Sequence, residues 1–183
     1  MNLRPYQIDC VDAVHSALKE VDKTLVVVPT GGGKTVIFSK LAAANSGKTL
    51  ILAHREELID QAIKKLHAAT GIKAEKEKAE ARASKNAKVV VGSIQTLCGQ
   101  SRLHDWSSDH FSLVIVDEAH HAVSSSYQSI LKHFDGTAKV LGVTATPDRA
   151  DKKNLGSYFQ SVAYEISLFD LINANYLSRI QVK

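Results

Sequence analysis

The chain alternates short apolar runs with longer segments of helical periodicity, and this alternation limits the folds open to it. The runs are rich in Val, Ile and Leu and nearly continuous, which is typical of strands buried on both faces. We place strands at Thr24–Val28, Thr49–Ala53, Lys88–Gly92, Ser112–Asp117 and Lys139–Thr144. Strands that alternate with helices predict an α/β fold with a mostly parallel central sheet and helices on both faces.

The helical segments follow the same alternation. Pro5 can open a first helix that carries Val11, Val14 and Leu18 on one face. Further helices are predicted at Lys34–Ala44, Arg55–Ala69 and Ser124–Phe134. For Lys73–Lys88 a solvated helix and a strand-and-loop excursion both stay open. The polar segment Gln100–Asp109 is predicted to be a loop, in which core anchoring or partial exposure of Trp106 is favoured over base stacking.

Length and charge set outer limits on organisation and partners. The 183 residues suit a single domain spanning 1–183, with enough apolar content for an ordinary core. The net charge of +4 permits nucleic acid as a partner without demanding it. Cys10 and Cys98 form no metal or C-x-x-C pattern, which indicates reduced thiols. Because no signal peptide or membrane span is visible, we expect a cytoplasmic protein without membrane contact.

A glycine-rich segment lies between the first predicted strand and the helix that follows it, which is the context of a phosphate-binding loop. Successive glycines let backbone N–H groups converge on a phosphate, and the helix start adds positive potential. The positive charge of Lys34 would lie beside the β- and γ-phosphates, and the Thr35 hydroxyl would bind magnesium. The predicted nucleotide-binding set is Thr30, Gly31, Gly32, Gly33, Lys34 and Thr35. A glycine-rich turn with a surface lysine is the alternative, since Val28 stands where the strict pattern has glycine.

Two adjacent carboxylates end the strand predicted at Ser112–Asp117. Asp117 fits a magnesium ligand, and Glu118 can orient and deprotonate an attacking water. Ligands of parallel α/β sheets bind beyond the carboxyl ends of the strands. We therefore expect this pair to meet Lys34 across neighbouring strand tips, with Lys34, Asp117 and Glu118 as the catalytic set. An ordinary acidic turn is the alternative.

The tetrad from Asp117 to His120 reads D-E-A-H. Together with Pro29–Thr35 and the Thr144-Ala145-Thr146 triplet, it makes the chain resemble the first RecA-like domain of superfamily-two DEAD/DEAH-box helicases. The glycine loop and DEAH box look closer to the DNA-repair and restriction-type translocase branch. This resemblance implies ATP and Mg²⁺ as cofactors and nucleic acid as a partner, with DNA favoured over RNA. Val28 is a mild departure, because a small residue often replaces the first loop glycine in that family.

The same resemblance implies further residue roles. Leu3–Gln7 is similar to the adenine-recognition motif, so Gln7 would bond the adenine edge with Arg4 packed nearby, and His120 would contact the Thr144 motif or the phosphate side. The implied nucleic-acid contacts are His54, Arg55, Ser93, Gln95 and Thr96, and the implied coupling residues between the two sites are Thr144, Ala145 and Thr146. Helix caps, solvated charges and a local threonine turn are the plain alternatives at these positions.

Motors of this family have a second domain that supplies an arginine finger. No sequence after Thr146 resembles such a domain, so we expect it C-terminal to this chain in the full-length protein. The 183 residues would then be a single, monomeric first motor domain that is nearly inactive alone. A nucleotide-dependent clamp on DNA and a P-loop transferase or kinase remain alternative functions.

Overall fold

A computed structural model describes residues 3–54, 56–145 and 149–178 of the chain. Within these ranges seven strands form one sheet in the order β3-β4-β2-β5-β6-β1-β7, and every adjacent pair is parallel. The strands are β1 Lys23–Val27, β2 Thr49–Ala53, β3 Glu75–Glu77, β4 Val89–Ser93, β5 Leu113–Asp117, β6 Lys139–Thr144 and β7 Ser161–Glu165. The predicted α/β fold with a parallel central sheet is confirmed.

Helices connect the strands and cover both faces of the sheet. They are α1 Pro5–Glu20, α2 Lys34–Ala44, α3 Glu56–Thr70, α4 Ile94–Leu97, α5 Gln100–His104, α6 Ser125–His133, α7 Arg149–Tyr158 and α8 Leu168–Asn173, with a 3₁₀ turn at Ala119–His121. Pro5 is the first residue of α1, where its missing N–H breaks no helical bond. Val14 is fully buried in this helix, and Val11 and Leu18 pack beside it, as the predicted face requires.

Alternate residues of each central strand enter two separate cores. Ile51 and Ile115 face the core formed with α1, α2 and α3, whereas Leu50 and Val114 face the core that contains Trp106, Tyr127 and Phe134. Both sides of these strands therefore exclude water. This two-sided burial explains why the strands read as continuous apolar runs in the sequence.

The five predicted strands are all present, two of them with the predicted bounds. The structure adds the two edge strands: β7, which the sequence reading missed, and β3, which lies in the segment left open as a solvated helix or a strand-and-loop excursion. Edge strands lack two buried faces, so they carry no continuous apolar run. In β7 this is seen directly, because Val162 is 54% exposed.

The loop prediction for Gln100–Asp109 is wrong in its first half, where α5 forms. Leu103 and Trp106 are 6% and 2% exposed, and their burial holds this polar segment against the core. Trp106 is thus anchored in the core, one of its two favoured placements. Of the two alternatives for Lys73–Lys88, the strand-and-loop excursion is the one observed.

A largely buried ion pair between Arg102 and Glu77 holds the Lys73–Lys88 excursion in place. Arg102 in α5 bonds the carboxylate of Glu77, which is 3% exposed, and also donates to the carbonyls of Ala79 and Ala81. Glu77 in turn accepts the backbone N–H of Ala83 at 2.8 Å. Satisfied on both sides, this pair fixes the turn that follows β3.

Both cysteines are free thiols; Cys10 is buried and Cys98 partly so. Burial raises the pKa of Cys10 to about 12, which keeps this thiol protonated. A search of the described ranges finds no helix with the length and apolar content to cross a bilayer.

We predict that replacing glycine by alanine changes the free energy of unfolding in opposite directions at Gly142 and Gly156. A Cβ at Gly142, in β6, would lie 2.8 Å from Phe159 Cε1 and 2.9 Å from Leu25 Cδ1. Gly142→Ala should therefore lower the free energy of unfolding by about 1–3 kcal/mol through overpacking. Gly156 lies in α7, where an added Cβ would meet no atom within 4 Å apart from the nearby backbone of its own helix and its chain neighbours. Gly156→Ala should raise the free energy of unfolding by about 0.5–1 kcal/mol, because alanine reduces the conformational entropy of the unfolded chain.

Urea denaturation of the two variants beside the unmodified chain measures both changes. Equal stability of the two variants would contradict the packing described for β6.

Candidate active site

Most candidate residues follow the carboxyl ends of five parallel strands and so lie along one edge of the sheet, the edge formed by the strand ends. The glycine loop follows β1, His54 follows β2, and Ile94 follows β4. Glu118 follows β5 and Ala145 follows β6. Parallel strands place all these ends on the same side, as the position of ligand sites in such sheets requires.

The glycine loop turns sharply into α2. Gly32 N donates to Pro29 O at 2.9 Å, and Gly31 and Gly33 have φ angles of +83° and +79°. At Gly33 a Cβ would clash with Gln7 Nε2, and at Gly32 it would lie 2.6 Å from Val28 Cγ1. The tight backbone therefore admits only glycine, while α2 begins at Lys34 with its first N–H groups free of helical partners.

Lys34 and Glu118 meet at this edge, with 3.9 Å between Nζ and Oε1. The predicted encounter of the loop with the acidic pair is observed, but the prediction of neighbouring strands is wrong. β6 lies between β1 and β5 and pairs with both. The lysine and the carboxylate therefore reach towards each other across one intervening strand. Their side chains are 11% and 32% exposed, so the pair is only partly screened by water.

Glu118 adopts a left-handed backbone conformation with φ 53° and ψ 56°. This region is costly for a residue with a long side chain, and such strain concentrates at functional sites. The Glu118 N–H donates to Asp117 Oδ1 at 3.0 Å, and the Glu118 carbonyl accepts from His121 N at 3.0 Å. The turn aims two successive carboxylates in different directions.

Burial, followed by the negative charge of Glu118, raises the pKa of Asp117 to about 6, although the Glu118 N–H and the charge of Lys34 act in the opposite direction. Ionising Asp117 costs free energy because the carboxyl is desolvated and lies beside a like charge. A cation that binds next to it would lower this cost. Asp117 and the Thr35 hydroxyl together offer the oxygen ligands that Mg²⁺ prefers. This donor set and the tight glycine loop beside it fit a magnesium-bound phosphate.

His120 connects the acidic turn to the end of β6. Its Nδ1 lies 3.2 Å from Thr144 Oγ1 and 3.5 Å from Glu118 Oε2. The contact between His120 and the threonine motif that the resemblance implied is thus present. Thr144 is 1% exposed, and its carbonyl accepts the N–H of Val28 at 3.0 Å, so it also contacts the start of the glycine loop. Ala145 follows it half-buried, and Thr146 lies outside the described residues.

The start of α1 packs on the glycine loop. Gln7 is 5% exposed and accepts the N–H of Arg4 at 3.0 Å through Oε1, so part of its amide is already engaged within the helix start. Tyr6, which the sequence reading did not single out, donates its hydroxyl to Gly32 O at 2.7 Å. Its apolar and helix-start context gave no signal of this bond, which depends on how α1 is placed.

The C-terminal segment adds residues that the sequence reading did not assign to the site. The Tyr176 ring lies 5.1 Å from the Tyr6 ring and 5.2 Å from the Arg4 guanidinium carbon, and the Tyr176 carbonyl accepts from Arg4 at 3.2 Å. Leu171 and Leu177 approach Gly32 and Gly31. Long-range packing of this kind leaves no motif in the sequence.

The predicted nucleic-acid contacts gather at the ends of β2 and β4. Gln95 donates to the carbonyl of His54 at 2.9 Å and accepts from the Ser93 hydroxyl at 2.8 Å. Thr96 accepts the N–H of Ala79 at 3.1 Å. A cavity of about 480 Å³ is lined by His54, Glu57, Lys78, Ala79, Ser93, Gln95 and Thr96. Arg55 lies outside the described residues.

A second cavity, of about 350 Å³, lies between these residues and the acidic turn. It is lined by His54, Leu58, Glu118, His120 and His121. His54 thus borders both cavities, and the two candidate sites are next to each other on one edge.

Comparisons with known proteins show similarity along most of the chain. Residues 1–149 match the family described as "Type III restriction enzyme, res subunit". The chain is 36% identical over 194 residues to "Putative ATP-dependent helicase IRC3" of Saccharomyces cerevisiae, covering 96% of this chain and 28% of that protein. It is also 36% identical over 190 residues to "Putative mitochondrial ATP-dependent helicase irc3" of Schizosaccharomyces pombe, covering 97% and 31%. The chain thus spans less than a third of either relative.

A solved structure of the nuclease-deleted Type ISP restriction-modification enzyme LlaGI, with a DNA substrate mimic, superposes on the chain with a TM-score of 0.72. The match covers 96% of this chain and 21% of that enzyme at 18% identity. At this identity the likeness concerns the fold alone.

We predict that Asp117→Asn stabilises the protein. The folded-state pKa of about 6 lies above the ordinary 3.8. Protonation therefore favours the folded state, and stability is lost as the pH rises through 6. At about 1.4 kcal/mol per pKa unit, the neutral amide should raise the free energy of unfolding at pH 7.5 by up to about 3 kcal/mol. The gain should vanish near pH 4.

Asp22→Asn is the matched control with the opposite sign. A hydrogen bond and the charge of Lys139 lower the pKa of Asp22, so its carboxylate contributes stability above its unfolded pKa and loses it as the pH falls. Urea denaturation at pH 7.5 and pH 4 measures both variants. An Asp117→Asn protein less stable than the parent at pH 7.5 would contradict the electrostatics described here.

Proposed function

Since this chain belongs to the family of the type III restriction enzyme res subunit and has a superfamily-two RecA-like helicase domain, we propose that it hydrolyses ATP to drive movement on DNA. The observation that carries the proposal is the approach of Lys34 to Glu118 at 3.9 Å, on the edge that also holds both cavities. This edge provides a phosphate-binding loop, a carboxylate pair and a polar surface for a nucleic-acid backbone.

The chain's own groups divide the work of hydrolysis. Backbone N–H groups of Gly31–Lys34 bind phosphate oxygens, and the Lys34 ammonium neutralises charge on the β- and γ-phosphates. Glu118 orients a water in line with the γ-phosphate and accepts its proton. Thr35 and Asp117 would hold Mg²⁺, which supplies further positive charge at the phosphates. Thr30 lies exposed at the loop turn, where its hydroxyl reaches the same phosphates.

Recognition of the base falls to the start of α1. Arg4 is exposed, and its guanidinium is already oriented by the Tyr176 ring and carbonyl. We assign the adenine edge to Gln7, whose amide lies against the glycine loop.

Nucleic acid is assigned to the larger cavity. His54, Arg55, Ser93, Gln95 and Thr96 would hold the phosphodiester backbone, since hydroxyls, amides and helix starts position a strand without reading its sequence. We favour DNA because the family description refers to restriction enzymes. Coupling to the nucleotide is assigned to Thr144, Ala145 and Thr146, on the basis of the bond between Thr144 and His120.

We place the chain, residues 1–183, as a single monomeric motor domain that works with a second, C-terminal one. The support is its coverage of less than a third of two helicase relatives. A second domain would supply the arginine finger that closes on the γ-phosphate. We keep the cytoplasm as the proposed location on the basis of the two free thiols; the S. pombe relative, by contrast, is named mitochondrial. Imaging of the tagged full-length protein distinguishes the two compartments.

The function is tested by ATPase assays of the full-length protein with single-stranded DNA, duplex DNA and RNA. We expect DNA to raise the turnover most. Glu118→Gln should lower the stimulated turnover by about 10²–10⁴-fold while nucleotide still binds, because only proton transfer is lost. Glu20→Gln, at the far end of α1, makes the same chemical change away from the edge and should leave turnover unchanged. If no nucleic acid stimulates ATP turnover, the proposed motor function is wrong.

We predict slow hydrolysis by residues 1–183 alone. An arginine finger contributes 10³–10⁵ in rate, so the isolated chain should turn over far below about 1 per second even with saturating DNA. A coupled ATPase assay measures this. A turnover near that value that disappears in Glu118→Gln would show that the chain carries a complete catalytic site.

A further inference from the structure

Three aromatic rings stack from the nucleic-acid side of the edge into the core. The His54 and His121 rings lie 5.3 Å apart at 32°, and the His121 and Tyr127 rings lie 6.4 Å apart at 27°. His54 and His121 are exposed, whereas Tyr127 is 1% exposed. His121 is therefore the middle ring of a stack whose inner end is fixed by packing.

The outer end of the stack belongs to the surface assigned to nucleic acid. The His54 carbonyl accepts from Gln95, and the His54 side chain lines both the 480 Å³ and the 350 Å³ cavities. A strand that binds in the larger cavity would displace or orient the His54 ring, which has solvent on its outer side.

The middle of the stack is joined to the catalytic turn by backbone and side chain. His121 N donates to Glu118 O at 3.0 Å, and the His121 ring lies 4.1 Å from the His120 ring. His120 contacts both Glu118 and Thr144. Because Glu118 occupies a left-handed conformation, a small rotation of the turn at Ala119–His121 changes where its carboxylate points.

The inner end of the stack lies close to the same carboxylates. Burial raises the pKa of Tyr127, and the charges of Asp117 and Glu118 act in the same direction. Among the described residues the Tyr127 hydroxyl has no hydrogen-bond partner. The stack thus ends in a ring that is packed in the core.

We propose that His121 is a positioning residue that transmits nucleic-acid contact at His54 to Glu118 through this ring stack. The inference rests on the proposed function and goes beyond it, since the sequence motifs give His121 no role in coupling. In the proposed mechanism a displacement of the His121 ring from its position between His54 and Tyr127 moves the catalytic turn through the backbone bond from His121 to Glu118.

The test uses the full-length protein with His121→Ala, His121→Phe and, as matched control, His15→Ala. His15 is an exposed histidine on α1, beside a cavity lined by residues such as Leu113 and Lys139 from the amino ends of the strands. ATP turnover is measured with and without saturating single-stranded DNA, and DNA affinity is measured separately by fluorescence anisotropy. Circular dichroism melting confirms that each variant is folded.

We expect His121→Ala to lower the ratio of stimulated to unstimulated turnover about tenfold, within the range of typical coupling free energies. His121→Phe keeps a ring in the stack and should retain most of the ratio, and His15→Ala should retain all of it. An unchanged ratio in His121→Ala would overturn the proposal, and so would an equal loss in His121→Phe. A change in DNA affinity alone, with full stimulation at saturation, would make His121 a binding residue and reject coupling. If the unmodified protein shows no stimulation, the proposed motor function itself fails.

Discussion

The pairing of β6 with both β1 and β5 sets the geometry on which the candidate site depends. Lys34 and Glu118 belong to the ends of strands that do not touch, and they meet only because β6 holds both in register. Thr144, the last residue of β6, sits between them and contacts the glycine loop through its carbonyl and His120 through its hydroxyl. One strand therefore positions the glycine loop, the carboxylate pair and the residue that joins them.

The site is held in a state that costs stability. Asp117 is buried beside a like charge, and Glu118 adopts a backbone conformation that its side chain disfavours. Both features make sense if a cationic ligand and a negatively charged phosphate complete the site. Preorganised polar groups stabilise developing charge most strongly where water is partly excluded. Such preorganisation requires rigidity, and the two packed cores of the sheet provide it.

The two candidate sites share a narrow boundary along the same edge. His54 borders both cavities, and the turn at Ala119–His121 lies against it. Short-range contacts between exposed rings are weak individually, but here they connect to a buried ring and to a strained catalytic turn. If the two sites bind nucleotide and nucleic acid as proposed, this boundary is a short physical route between them.

The sequence by itself determined the central strands, the main helices and the two chemical signatures of the edge. Continuous apolar runs require two-sided burial, a triple glycine before a lysine gives a tight phosphate-binding turn, and adjacent acids at a strand end give diverging carboxylates. These are local properties, so local patterns reveal them. The roles of Arg55 and Thr146 stay predictions, as do those of the other assigned site residues.

Tertiary structure alone decided which strands lie side by side, where the edge strands β3 and β7 pair, and why the polar segment at Gln100–His104 becomes a helix. It also decided that Tyr6, Tyr176 and Leu177 contact the site region and that His54, His121 and Tyr127 stack. Each of these depends on residues far apart in the chain whose individual types are unremarkable. Their meeting is fixed by strand order and helix placement, which no local pattern encodes.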